Sequence, residues 1–428
     1  MKKYLLLFIV IGVIAFTRFS IAAGTQAYSL ANTKDPRSQI SPDIAFDGKN
    51  SFIVTWQQGE NYFETESGDI MAIRLDEDGT TLNAGTIRIT RNKASQERPR
   101  IASFNHRFLI VWQDFRNGKD WDIYGARISQ DGKLLDPDGF LIAGGKGNQA
   151  MPSITMAENG YMILWQDFSH PPYYRLAAAM VSNEGMVSIK QELMYSDTPL
   201  YGAQPEVAYD GKNYLITWFN EKDWTKGNGL IGITTRWFAN LGIKGKDILV
   251  TDIKRSPTVL LGRNGGNIKG NSNGNILFAG WGVAGRGNRM ATGALFESGN
   301  PLPMDNLNIE KKRRYSGWDT SKMIVIYNTQ GGIDGPVSLT WNQDHWLIAS
   351  RVIVGNRHKQ EYRIIASRLD QTGKRLDGPK HWPILYSDKN SVAHPVLASG
   401  QKRTLLVFER YDATGISHLN YKIISPHK

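Results

Sequence analysis

Pro42-Asp43-Ile44-Ala45-Phe46-Asp47-Gly48, followed after three residues by Phe52-Ile53-Val54-Thr55-Trp56, decides how this chain is read, because the pattern returns. It stands again as Pro99-Arg100-Ile101-Ala102 leading to Phe108-Leu109-Ile110-Val111-Trp112, then from Pro152 to Trp165, from Pro205 to Trp218 and from Pro395 to Phe408. Proline and aromatic lie 13 residues apart in four of these copies and 14 in the first, a regularity that marks a structural repeat. Two copies are degraded. One runs from Asn275 to Trp281 without the leading proline; the other runs from Pro336-Val337-Ser338-Leu339 to Trp346-Leu347-Ile348-Ala349, with Ser350 at the Trp place. That makes seven units.

After each aromatic come a polar stretch, a second apolar run and a glycine turn, as in Asp69 to Leu75 closing at Gly79 or Asp122 to Ile128 closing at Gly132. The turn glycines 79, 132, 185, 242, 299 and 373 supply the positive φ of tight hairpins, and short runs of β-branched and aromatic residues between them read as strands. No long helical period is present. Each unit therefore supplies about four strands, the content of one propeller blade. The last unit is one strand short, and Thr25 to Ala31 matches the missing one. The expected fold is all-β: a seven-bladed β-propeller of four-stranded antiparallel blades, its ring closed by the N-terminal strand, which leaves no long edge at the seam. The blades fall at about 37–90, 91–143, 144–196, 197–251, 252–310, 311–386 and 387–426 plus 24–32, in one domain spanning 23–428.

The chain has 428 residues, 41% of them hydrophobic and 21% charged, which excludes wholesale disorder. Cysteine is absent, so disulfides, thiolate metal sites and a Cys nucleophile are excluded. Residues 1–22 read as a secretory signal: Lys2 and Lys3, an apolar run from Tyr4 to Phe16, then Ser20-Ile21-Ala22 at the cleavage site. Thirteen apolar residues are short for a membrane span, so no stable membrane insertion is expected. Cleavage removes Lys2, Lys3 and Arg18 and no acid, lowering the net charge from +11 by three to +8. A secreted or periplasmic bacterial protein is the expectation.

The repeat resembles the secreted bacterial β-propeller repeat of Pro-x-Ile-Ala-x-Asp-Gly and Trp pattern, over essentially all of residues 24–426. The resemblance implies architecture and leaves activity open, since propellers host many functions. Trp56, Trp112, Trp165, Trp218 and Trp281 share one repeat position and are expected to pack between blades. Six-bladed sialidases need Ser-x-Asp-x-Gly-x-Thr-Trp boxes; Ser129-Gln130-Asp131-Gly132 is one residue too tight and no copy has the trailing aromatic, so that family is rejected.

On a propeller the loops between second and third strands, and those entering the next inner strand, form one rim. Here they carry Gln96, Glu97 and Arg98, Tyr201 and Gln204, Arg263, and His394, together with Asp114 and Arg116, His170 with Tyr173 and Tyr174, Asn220, Arg286, Arg351, and Glu409 with Arg410. The positive excess favours an acidic polysaccharide or another extracellular polyanion as partner. Export and the lack of a recognised module argue against nucleic acid. The eight histidines lack ligand spacing, so neither metal nor other cofactor is expected, and the chain is expected to be a monomer.

Two classes of function remain. Glycan or protein binding without chemistry needs nothing further. A polysaccharide lyase is the most concrete enzyme reading, because some seven-bladed propeller lyases acting on uronate polymers use His and Tyr with Arg, and this chain is similar to them in class. Elimination needs a cation on the uronate carboxylate, a base and an acid. Arg98 and Arg116 are candidates for the first, His170 or His394 for the second, Tyr174 or Tyr173 for the third. Gln96, Asp114, Tyr201, Gln204, Asn220, Arg263, Arg286, Arg351 and Arg410 are candidate substrate contacts. A glycosidase would instead need two rim acids, from Asp114, Asp167, Glu221 and Glu409, about 5 to 9 Å apart.

Overall fold

The computed structural model describes residues 26–425 apart from 32–34, 60–67, 83–84, 172, 189, 196–204, 212–213, 223–229, 239–245, 250–266, 272, 285–287, 298–299, 302–323, 330–332, 357–358 and 378–381. The signal-like stretch 1–22 lies outside the described residues.

Among the described residues there is no helix, and the strands form seven antiparallel sheets. After β1 (Tyr28–Ser29), the first sheet is β2 (Gln39–Phe46), β3 (Ser51–Gln58), β4 (Asp69–Asp76) and β5 (Ile87–Arg88). The second is β6 (Gln96–Phe104), β7 (Arg107–Asp114), β8 (Asp122–Ile128) and β9 (Phe140–Ala143); the third is β10 (Gln149–Ala157), β11 (Gly160–His170), β12 (Tyr173–Ser182) and β13 (Gln191–Tyr195). The fourth is β14 (Glu206–Tyr209), β15 (Tyr214–Lys222), β16 (Leu230–Phe238) and β17 (Lys246–Leu249). The fifth is β18 (Asn267–Gly270), β19 (Asn275–Ala284), β20 (Asn288–Glu297) and β21 (Asn300–Pro301), with β22 (Ile324–Thr329) also paired to β20. Thus β22, inside the sixth sequence unit, hydrogen-bonds to the fifth sheet. The sixth sheet is β23 (Ile333–Trp341), β24 (Trp346–Asn356), β25 (Lys359–Leu369) and β26 (Ile384–Asp388). The seventh is β27 (Val392–Ser399), β28 (Thr404–Tyr411) and β29 (Ser417–Ile424), with β1 as its outer strand.

The first strand of each sheet lies beside that of the next, and β27 lies beside β2, a propeller-like arrangement. The second strands β3, β7, β11 and β28 are buried on both faces over most of their length, which is why their sequences are continuously apolar rather than alternating. In β3, Phe52, Val54 and Trp56 share a core with Leu405, Val407 and Leu419 of the seventh sheet, whereas Ile53 faces Phe108, Ile110 and Trp112 of the second. Leu109 and Val111 likewise meet Ile163 and Trp165 of the third sheet. Trp56, Trp112 and Trp165 are fully buried, and truncating one to alanine is expected to cost about 3–5 kcal/mol. The buried indole N–H groups of Trp56 and Trp112 donate to Gln58 and Asp114, two residues on.

Tyr28 and Ser29 pair with Tyr421 and Asn420, Leu30 N–H donates to the Leu419 carbonyl, and the Leu30 side chain is buried in the core shared by the first and seventh sheets. A protein beginning at Lys34 is therefore expected to melt at least about 2 °C below one beginning at Gly24, since burying a leucine contributes about 1.5–3 kcal/mol. Equal midpoints in thermal melts would show that β1 contributes nothing.

Candidate functional site

The repeat proline sits at a β-bulge. The pairing register of the first two strands shifts between Ile40 and Asp43, Glu97 and Arg100, Ala150 and Ser153, and Ala393 and Val396, each shift spanning one X-Pro pair. Proline suits the place because it has no N–H to leave unpaired. The residue before it is left-handed: φ is 53° at Ser41, 55° at Arg98, 54° at Met151 and 42° at His394. Non-glycine residues adopt this region uncommonly, and its recurrence at one repeat position turns Ser41, Arg98, Met151 and His394 into the lining of one cavity.

That cavity, about 310 Å3, runs between the first strands of all seven sheets. It is lined by Asp43, Arg98, Arg100, Glu206, Lys269, His394 and Glu409 among its charged residues. Glu206 accepts a hydrogen bond from Ser153 Oγ at 3.0 Å and lies 3.7 Å from the Arg100 guanidinium. Burial between the strands lifts its carboxyl above the usual range, with Arg100 opposing. Asp43 accepts from the backbone N–H of Ile101 on the next sheet at 3.0 Å.

A second cavity of about 620 Å3 opens beside β24, β25 and β28, with Arg351, Tyr362, Lys389 and Asn390 in its lining. Pro336, His394 and Tyr411 line both cavities. Arg351 lies opposite the bulge of β23, the place held by Trp56, Trp112, Trp165 and Phe408 in their sheets, and its Nη1 donates to the Val392 carbonyl at 3.0 Å. Sequence spacing puts Ser350 at that place; in the structure Ser350 pairs with Val337 and Arg351 faces the bulge, because the hairpin link between Trp341 and Trp346 is longer than the one between Phe104 and Arg107, and this bulge also holds three residues, Asp334 to Pro336, where the others hold two.

At the junction of the cavities, His394 Nδ1 is 2.8 Å from Glu409 Oε1, and the Tyr411 hydroxyl donates to Glu409 Oε2 at 2.8 Å. Glu409 is fully buried, whereas 43% of the His394 side chain is exposed. Burial pulls the imidazole pKa down, but the Glu409 charge and contact outweigh it, and Arg351 and Arg100 work against them; the net shift is upward from 6.5. The contact is a close ion pair without hydrogen-bond alignment at Nδ1; it can hold a proton on the imidazole next to a phenol, with arginines close by.

Arg98 and His394 thus meet in one cavity, and Arg351 borders the second. Arg116 lines neither: it is paired with buried Asp114 at 2.6 Å, stacked 3.8 Å over Tyr124 and bonded to the Asp138 carbonyl. Gln96 is buried, its amide donating to the Ala94 carbonyl, and Arg410 is tied to Asp388 at 2.6 Å. His170 ends β11 in an exposed position beside Ser169 Oγ, its backbone paired with Tyr173, and is in the lining of neither cavity. For Tyr173, Tyr174 and Asn220 the strand backbone alone is described. Tyr201, Gln204, Arg263 and Arg286 lie outside the described residues. Tyr411, Arg100, Glu206 and Lys269 were not singled out in the sequence. The readable signal for Tyr411 was its neighbour: where other units read Trp-Gln, at Trp56-Gln57, Trp112-Gln113 and Trp165-Gln166, the last reads Phe408-Glu409.

No family model matches the chain, and no curated protein does. Among solved structures it is similar to a protein of unknown function from Dyadobacter fermentans (11% identity, 94% of this chain and 98% of that one, TM-score 0.50). It is also similar to an ulvan lyase of polysaccharide lyase family PL25 bound to -[GlcA(1-4)Rha3S]- (8%, 94% and 96%, 0.55) and to the polysaccharide lyase Uly1 (11%, 96% and 94%, 0.50). At such identities the likeness is one of fold, that of β-propeller enzymes.

Because His394 binds its proton more tightly in the folded protein than in the unfolded chain, its contribution to stability is present below about pH 6.5 and lost as pH rises through the raised folded value. His394→Ala should therefore lower the melting midpoint more at pH 5.5 than at pH 9. An equal deficit at both would contradict the ion pair with Glu409.

Proposed function

We propose that this chain is an exported seven-bladed β-propeller, closed by its N-terminal strand, that binds acidic polysaccharide at the mouth of its channel and cleaves it by β-elimination. The adjacency of β27 to β2 and the place of β1 in the last sheet support closure. The observation that carries the chemistry is His394 and Tyr411 held by one buried carboxylate at a junction of cavities that Arg98, Arg351 and Lys389 also line. The fold neighbours named as polysaccharide lyases, one with a glucuronate-containing oligosaccharide bound, support the substrate class.

In this reading Arg98 and Arg351 neutralise the uronate carboxylate, so that the neighbouring C–H becomes acidic. His394, through the ring nitrogen turned from Glu409, takes that proton. The C–H electron pair forms a double bond to the adjacent ring carbon, whose bond to the glycosidic oxygen breaks, and Tyr411 gives its proton to that oxygen. The imidazolium then returns its proton to the tyrosinate. The base is placed at His394 rather than His170 because His394 borders both cavities.

The mechanism requires neutral His394, so the rate is expected to climb as pH rises above 6.5. Incubation with a panel of uronate polymers, sulfated and unsulfated, should yield an unsaturated sugar absorbing in the ultraviolet. His394→Ala and Tyr411→Phe should each lower the rate by about 100-fold or more, with His170→Ala near wild type. Products with saturated ends, or binding without cleavage, would replace elimination by hydrolysis or by recognition alone. Affinity for the polymer should fall steeply with added salt, as binding to a protein of mature charge +8 requires; salt-insensitive binding would count against the basic rim.

A further inference from the structure

Glu409 occupies a position with a known structural duty. In the first and second sheets the side chain that follows the buried Trp is glutamine, and its Oε1 accepts the N–H of the bulge residue of the next sheet: Gln57 takes Arg98 N–H at 3.4 Å and Gln113 takes Met151 N–H at 3.1 Å. In the last sheet Glu409 Oε1 does the same for Ser41 N–H of the first sheet, at 2.8 Å. An amide suffices for that duty in two other places. A fully buried carboxylate carries a desolvation cost that an amide avoids, so backbone acceptance does not explain the acid.

We infer that Glu409 is a positioning residue through which the contact between the first and last sheets holds His394 and Tyr411 in place for substrate. One oxygen takes Ser41 N–H and faces His394 Nδ1, while the other takes the Tyr411 hydroxyl. The carboxylate cannot turn toward solvent without releasing a backbone N–H, so the seam between the terminal sheets fixes the orientation of both side chains. Around His394 stand Glu409 and Tyr411 of β28, Arg351 of β24 and Arg98 and Arg100 of β6. Of these arginines Arg100 has Glu206 at 3.7 Å, and Glu206, Asp43 and Lys269 line the same cavity; Glu409 is the acid in contact with His394 itself. The inference rests on the proposed elimination for its catalytic meaning and on the geometry alone for its physical content.

The test is Glu409→Gln beside Glu409→Ala. Histidine ring resonances are followed by NMR against pH, with His394 assigned from His394→Ala, and thermal midpoints are recorded in parallel. Glu409→Gln restores the amide of the other sheets, so at pH 9, where the ion pair no longer contributes, its melting midpoint should stay near wild type. Its His394 titration should move to lower pH, and the elimination rate should fall more than about tenfold, mainly in kcat. Glu409→Ala should lose the thermal midpoint as well. An unchanged His394 titration in Glu409→Gln would overturn the inference. Should that variant not fold, Tyr411→Phe decides: with one donor fewer on the carboxylate the His394 titration should move to higher pH, and no movement or a fall would contradict the arrangement. If the wild type cleaves no polymer, the titrations still decide the positioning role, while the elimination itself fails separately.

Discussion

In the first, second, third, fourth and seventh sheets the first strand turns backbone N–H groups toward a neighbour rather than toward a further strand, and side chains of the preceding sheet accept them. Asp43 takes Ile101 N–H, Ser153 takes Val207 N–H and Ser338 takes Leu397 N–H. Gln57, Gln113 and Glu409 take the bulge N–H groups of Arg98, Met151 and Ser41. A buried donor left without an acceptor costs about 1–3 kcal/mol, so this handing-on from sheet to sheet is a constraint the repeat must satisfy at each step. The last sheet serves the first in the same way. Tryptophans packed between consecutive sheets add the apolar half of the contact.

That constraint explains what was legible in the sequence. The X-Pro pair, the Ile-Ala run and the Trp-Gln ending recur because each has a fixed place: bulge, buried edge, and acceptor for the next sheet. A repeated geometric demand leaves a repeated residue. The strand order and the placing of Thr25 to Ala31 beside the last unit follow from it, and β1 does pair with β29. The assignment of β22 to the fifth sheet was not legible, because the unit from 311 onward lacks the spacing that dates the others.

The site was legible in part, for the same reason. Arg98 and His394 stand before a repeat proline, and the bulge that the proline marks carries both into the channel. Rim loops carry no such guide to direction. Arg116 and Arg410 sit in the right loops yet are spent on Asp114 and Asp388, which a sequence of polar residues does not reveal. Tyr411 became visible once Glu409 was placed, since a carboxylate in a glutamine position calls for a partner beyond the backbone N–H it inherits. The candidate site coincides with the breaks in the repeat: Arg351 for an aromatic, Glu409 for a glutamine, and the enlarged bulge at Gly335 and Pro336.

Hydrogen–deuterium exchange of the intact protein, with and without a uronate oligosaccharide, tests the location of the site most directly. Slowed exchange in 335–351 and 391–411, the segments that bring Arg351, His394 and Tyr411 around the two cavities, is the expected result. Slowing confined to the β11–β12 hairpin around His170, with 391–411 unchanged, would contradict it.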